Sequence, residues 1–164
     1  MTVVEAIRFL ETQVEDPRVG LPDDIFYFLT RLTPMINVDL LVKDCEGRCL
    51  LSWRDDEFTG TGWHVPGGIV RSKEPIEQRI VKVAESEIGA EISFDPKPIA
   101  INQIIAPHAT RGHFISLLYS CSIKNSAEIR NDGRSEGDVG YIAWHETCPD
   151  NLVKYQDIYR EFIE

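Results

Sequence analysis

Positive charge is scarce in this 164-residue chain: 17 lysines and arginines stand against 27 aspartates and glutamates, a formal net charge of −10. That balance argues against DNA or RNA, which are held through a phosphate backbone. It leaves room for a small anionic ligand, provided a few arginines, lysines or a divalent ion reverse the field locally. Cysteine is sparse as well. Cys45, Cys49, Cys121 and Cys148 include no C-x-x-C pair and no histidines at zinc spacing, so they read as free thiols of a reducing compartment. No apolar run approaches the ~18 residues needed to cross a bilayer, and the start at Met1 lacks a basic stretch followed by an apolar core. These absences predict a cytoplasmic protein without membrane contact. Repeats and low-complexity stretches are missing too, and the length suits one core rather than two.

What is present is an alternation of helical and strand patterns. Val3, Ile7, Leu10 and Val14 recur at helical spacing over 2–14, and Pro22-Asp23-Asp24 opens a second helix over 21–32. The stretch 15–20 between them is a turn-rich connector. Strand patterns follow at 36–43, 48–53, 63–70, 97–106, 113–123 and 140–145, and an amphipathic helix over 150–163 closes the chain through Leu152, Tyr155, Ile158, Tyr159 and Phe162. The expectation is an α/β protein, an α/β/α sandwich with a mixed sheet. An N-terminal helical extension (1–32) would pack on the main domain (33–164).

The stretch from Trp63 to Gly89 carries the chemistry. Trp63-His64-Val65-Pro66-Gly67-Gly68 reads as a short apolar strand stopping at two glycines, which free the backbone for positive φ and for close approach to a ligand. A carbonyl there can ligate a metal. Pro75 suits a helix start and Gly89 a helix stop, and Ile76, Ile80, Ala84 and Ile88, with Val81 filling the stripe, predict the buried face of three to four turns.

This spacing resembles the box of the Nudix hydrolases, G-x5-E-x7-R-E-U-x-E-E-x-G-U, where U is aliphatic. Gly68, Glu74, Glu87 and Gly89 fall in register, whereas Lys82 stands at the arginine position and Val83 and Ser86 replace two helix carboxylates. Only Glu87 of the three remains. Glu85 does not replace the missing acids, because a step of two residues turns it about 160° from Glu87 on an α-helix. The thinned box resembles that of the GDP-mannose mannosyl hydrolases, and the likeness runs from about Leu21 to Trp144. It implies one Mg²⁺ (or Mn²⁺) held by Gly68, Glu87 and Glu136, with Asp39 and Arg54 against a nucleoside diphosphate sugar. The implied reaction is water attack on the anomeric carbon, with a metal ion and an arginine neutralising the leaving diphosphate. Lys82, His64 and His113 are candidates for substrate contact.

Two positions depart from that pattern. Ile69 stands where the subfamily has an arginine, and the general-base histidine falls near Gly137, leaving Asp138 to deprotonate water. A carboxylate with an ordinary pKa near ~3.9 is a poor base at neutral pH unless burial raises it. His64, His113 and His108, the last on a loop that could close over substrate, are alternative bases. His145 is expected to face solvent. Two other functions remain open at this point: cleavage of the phosphoanhydride in a nucleoside diphosphate derivative, and nucleotide-sugar binding without catalysis. Phe26, Phe28, Leu29 and Leu32 give the second helix more apolar surface than a covering helix needs, and the resemblance implies a homodimer.

Overall fold

The computed structural model describes residues 1–108, 110–124, 129 and 131–164. Two helices come first, α1 (Val3–Thr12) and α2 (Asp23–Thr30), then four strands, β1 (Met35–Val42), β2 (Cys49–Asp56), β3 (Gly60–His64) and β4 (Gly67–Ile69). Helix α3 (Ile76–Val83) runs into one π-helical turn, Ala84–Ile88. After it come β5 (Ile92–Phe94), β6 (Ala100–Ile105), β7 (His113–Ile123), β8 (Ile142–His145), a 3₁₀ turn Lys154–Tyr159 and α4 (Arg160–Ile163).

Strand β7 is the axis of the larger sheet. It lies parallel to β1, antiparallel to β6 along its first half and antiparallel to β5 at its end, while β4 pairs antiparallel with the other edge of β1. Strands β3, β2 and β8 form a second, antiparallel sheet. Parallel β1 and β7 need a long crossover, and α3 lies within it.

The period of two in β1 sends alternate residues to opposite layers. Val38, Leu40 and Val42 pack with Ile80, Val83, Ala84 and Ile88 of the α3 segment, whereas Leu41 packs with Trp63, Leu152, Tyr159 and Ile163 on the C-terminal side. Each large aliphatic side chain so buried contributes roughly 1.5–3 kcal/mol. The sandwich and the mixed sheet match the expectation from sequence. Five details differ from it. The 63–70 stretch is two strands, because Pro66 interrupts the ladder. The short β5 is not among the expected strands, its Ile-Ser-Phe alternation being only three residues long. The C-terminal helix starts as a 3₁₀ turn. Val81 is 43% exposed while Val83 fills the inner stripe instead. His145 turns inward, its ring 4.3 Å from that of Trp63.

Helix α3 ends as its sequence predicts. Gly89 sits at φ 71° and its N–H reaches back to the Ala84 carbonyl at 2.9 Å, a bond spanning five residues. Among the described residues no helix is long and apolar enough to cross a membrane.

Candidate active site

Two glycines set the floor of the site, for a different reason from the one the sequence suggested. Neither Gly67 nor Gly68 has positive φ. A Cβ on Gly67 would instead overlap Asp39 Oδ1, and one on Gly68 would come within 2.7 Å of Val83 Cγ2. The glycines let β4 lie against β1 and α3 without a side chain between them. Antiparallel pairing places Gly67 opposite Asp39 and Gly68 opposite Val38.

That close approach brings two carboxylates together. Glu87 Oε2 accepts the Gly67 N–H at 3.3 Å. Burial pushes Glu87 up to about 7, with the nearby negative charge of Asp39 adding to the rise and Arg54 opposing it. Asp39 is almost fully buried and reaches about 6, because burial outweighs hydrogen bonds from Ser116 and Tyr159, the charge of Arg54 and a bond from Asn37. Its Oδ2 accepts from Ser116 Oγ and, at 2.6 Å, from Tyr159 Oη, and its Oδ1 accepts from Asn37 Nδ2 at 2.7 Å.

His64 is buried beside them. Its Nδ1 donates to the Val65 carbonyl at 2.9 Å, which leaves Nε2 as an acceptor. Burial, reinforced by Arg54, lowers its pKa to about 3, so it stays neutral. Val65 is held in turn by Gln156, whose Oε1 accepts its N–H at 2.6 Å.

These groups border two cavities. The first, about 300 Å³, is lined by Asp39, His64, Gly67, Gly68, Glu87 and Arg54, with Arg71, Arg111, Phe58, His108 and Tyr155 among the remaining wall. A second of about 260 Å³ is bordered by Trp53, Glu85, Ser86, Asp132, Arg134 and Gly140. Arg54, His64 and Glu87 line both, so they form the partition. Glu85, which the helix geometry turns away from Glu87, reaches only the second cavity.

The structure thus brings Arg54, Asp39, His64, Gly68 and Glu87 together and leaves four other candidates outside. Lys82 lines neither cavity; its Nζ lies 2.9 Å from Glu74 Oε1. His113 sits at the start of β7, where its Nε2 accepts from the Gln103 amide at 2.9 Å. Asp138 is exposed and caps a turn, its Oδ2 accepting the Ser135 N–H at 2.7 Å. Glu136 is also exposed and lines neither cavity. Sequence reasoning missed Tyr159, Ser116, Arg71 and Arg111; the alternation Asn37-x-Asp39 on a buried strand was the signal for the polar cluster at Asp39. His108 donates to the Phe58 carbonyl, and its ring lies 6.2 Å from that of Tyr155.

Would these donors suit a divalent metal? Among the described residues no three His, Cys, Asp or Glu side chains are grouped closely enough to hold one. Val83, at a ligand position of the box, is an apolar residue packed in the core. The set does not fit a cluster of several ions. A single divalent ion would find one side-chain carboxylate of the box, Glu87, on the cavity wall, and would need water and phosphate oxygens to complete its shell.

No family model matches the chain. Over 85 residues, 52% of its length, it is 31% identical to the low-salt glycan biosynthesis protein Agl8 of Haloferax volcanii, and it spans only about half of that relative, 54%. It resembles the MutT Nudix hydrolase of Burkholderia pseudomallei with a TM-score of 0.60 and 20% identity, covering 80% of this chain and 99% of that one. A UDP-X diphosphatase aligns over 98% of this chain and 88% of its own, with a TM-score of 0.58 and 14% identity. The crossover helix, the glycines under it and the mixed sheet give this chain the fold of the Nudix hydrolases.

Proposed function

We propose that the chain hydrolyses a nucleoside diphosphate sugar, GDP-mannose-like, at the anomeric carbon. The observation that carries this reading is the partition: Arg54 and Glu87 stand between two cavities, as a diphosphate stands between a nucleoside and a sugar. The name of the Haloferax relative, a glycan biosynthesis protein, supports a sugar nucleotide as substrate.

Asp39 takes the role that Asp138 was expected to play. It lines the first cavity only, and with a pKa of about 6 it accepts a proton near neutral pH better than an ordinary carboxylate. Water in that cavity bonds to the anomeric carbon and gives its proton to Asp39. The carbon–oxygen bond to the diphosphate breaks, and its electron pair leaves on the phosphate oxygen. Arg54 neutralises the charge that grows there. Glu87 and the Gly68 carbonyl would hold Mg²⁺ or Mn²⁺, which when bound adds to that neutralisation. Neutral His64 offers Nε2 to a substrate hydroxyl.

Product analysis with GDP-mannose and a panel of nucleotide sugars tests the reading. Free sugar and nucleoside diphosphate support it. Sugar phosphate and nucleoside monophosphate would instead mean phosphoanhydride cleavage, and tight binding without any product would mean a binding module. A homodimer belongs to the same reading, supported by α1, which buries none of its residues and exposes Val3, Val4, Ile7 and Phe9. Light scattering checks it, and a monomer at working concentration rejects it.

A further inference from the structure

Arg71 and Arg111 line the first cavity and not the second. Among the described residues neither guanidinium forms an ion pair, and the Nε of each is buried without a hydrogen-bond partner. Desolvated cationic donors without acceptors are unfavourable in the empty protein. Both nonetheless have neighbours in the N-terminal segment. The Arg71 guanidinium lies over Gly20. Arg111 adopts φ 49°, an uncommon conformation for a side-chain-bearing residue, and its N–H donates to Thr30 Oγ1 at 3.1 Å. Its guanidinium sits 4.8 Å from the centre of the Phe58 ring and 5.7 Å from that of Phe26. Stacking of this kind fixes the plane of the fork and leaves its edge for a ligand.

Which part of a substrate would meet that edge follows from the site already described. Asp39 is in the first cavity, so the sugar that receives water is there too, and the diphosphate is at Arg54. Arg71 and Arg111 then face the sugar. A neutral hexose brings no charge to these two unpaired cations, whereas a planar carboxylate neutralises a guanidinium and matches its fork with two parallel hydrogen bonds. We propose that Arg71 and Arg111 form an anion subsite selecting an acidic sugar, the nucleoside diphosphate derivative of a uronic acid, and that Thr30 of α2 is its positioning residue. This deepens the hydrolase reading and rests on it for the placement of the sugar.

Calorimetry and turnover with GDP-mannose beside GDP-mannuronate, and UDP-glucose beside UDP-glucuronate, test it. The acidic member of at least one pair should bind about tenfold more tightly or more, the size expected for hydrogen bonds to a charged group. R71A and R111A should abolish that preference, the affinity for the acidic member falling to that for its neutral partner. Thr30→Val should weaken the preference and Thr30→Ser restore it, with melting temperature followed to show that each variant is folded. Equal affinity within both pairs, or a preference that survives R71A and R111A, overturns the subsite while leaving the hydrolase reading intact. Loss of neutral-sugar binding in R111A would also overturn it, since the arginine would then serve the diphosphate. No binding of any of the four sinks both readings.

Discussion

The hydroxyl of Tyr159 donates to Asp39 Oδ2 at 2.6 Å, joining the C-terminal 3₁₀ turn to the first strand across 120 residues of chain. Ser116 of β7 reaches the same oxygen, so three separated elements converge on one buried acid. Removing one donor therefore tests both packing and protonation. Tyr159→Phe should cost about 1.5–3 kcal/mol of stability, the range for a hydrogen bond to a charged group. It should also raise the Asp39 pKa above about 6, because this bond favours the carboxylate form. Thermal melts and the acid limb of the kcat/KM profile measure the two effects, and an unmoved acid limb would remove Asp39 from the base role.

Glu87 sits at about 7 in the folded chain against an ordinary 4.5. An acid whose folded pKa is raised binds protons on folding, so its contribution favours the native state below about 4.5 and weakens as pH climbs to about 7. Metal-free protein should lose roughly 1–3 kcal/mol over that window from this group. Glu87→Gln should flatten the decline in the presence of EDTA, raise the melting temperature at pH 8, and abolish turnover. Equal melting curves for the two proteins at pH 8 would contradict the burial argument.

Glu74 behaves in the opposite way. Its carboxylate is 2% exposed; burial alone would raise its pKa, but bonds from the Arg71 N–H, Lys82 and Arg79 hold it down to about 2. Its contribution is present above about 4.5 and disappears as pH falls towards about 2. Glu74→Ala should cost about 3–5 kcal/mol, since it strands the partly buried Arg79, whereas Lys82→Ala should cost under ~1 kcal/mol and leave KM unchanged. Urea titrations and steady-state kinetics distinguish these outcomes. A KM that rises severalfold in K82A would return Lys82 to the substrate.

The adjacent glycines should differ in tolerance. At Gly67 an added methyl meets Asp39 Oδ1 and, at 2.9 Å, the Val38 carbonyl, backbone that cannot step aside. At Gly68 it meets a Val83 methyl group, which can shift. Gly67→Ala should abolish activity and lower the melting temperature more than Gly68→Ala, which should fold and retain measurable turnover. The reverse order would mean that the packing of β4 on β1 is not what the glycines serve.

Much of the architecture was legible because periodicity is a local signal. The 3.6-residue stripe of α3, the glycine that ends it and the alternation in β1 and β7 each follow from neighbouring residues in sequence. Asp39, Arg54, His64, Gly68 and Glu87 were named from spacing and resemblance, and the fold brings all five to the wall of the first cavity. Lys82, Glu136, Asp138 and His113 were misplaced because register alone does not say which way a side chain turns or whether an acid nearby captures it. Glu74 does this to Lys82, and the Ser135 turn does it to Asp138. Arg71 and Arg111 were invisible for a related reason: a loop arginine has no periodicity, and what distinguishes these two is a guanidinium without an ion-pair partner among the described residues, each with a buried, unbonded Nε.

The extra amide in the turn Ala84–Ile88 has a bearing on how such a protein could change. Excising one residue there would turn the Gly89 bond to Ala84 into a regular α-helical one, leaving the direction of the chain beyond the turn unchanged and altering only the side chains inside it. The acid at 87 lies inside that turn and would be re-aimed without being mutated. The aim of this carboxylate is therefore open to single-codon insertions and deletions, a route that comparison of substitutions alone would overlook.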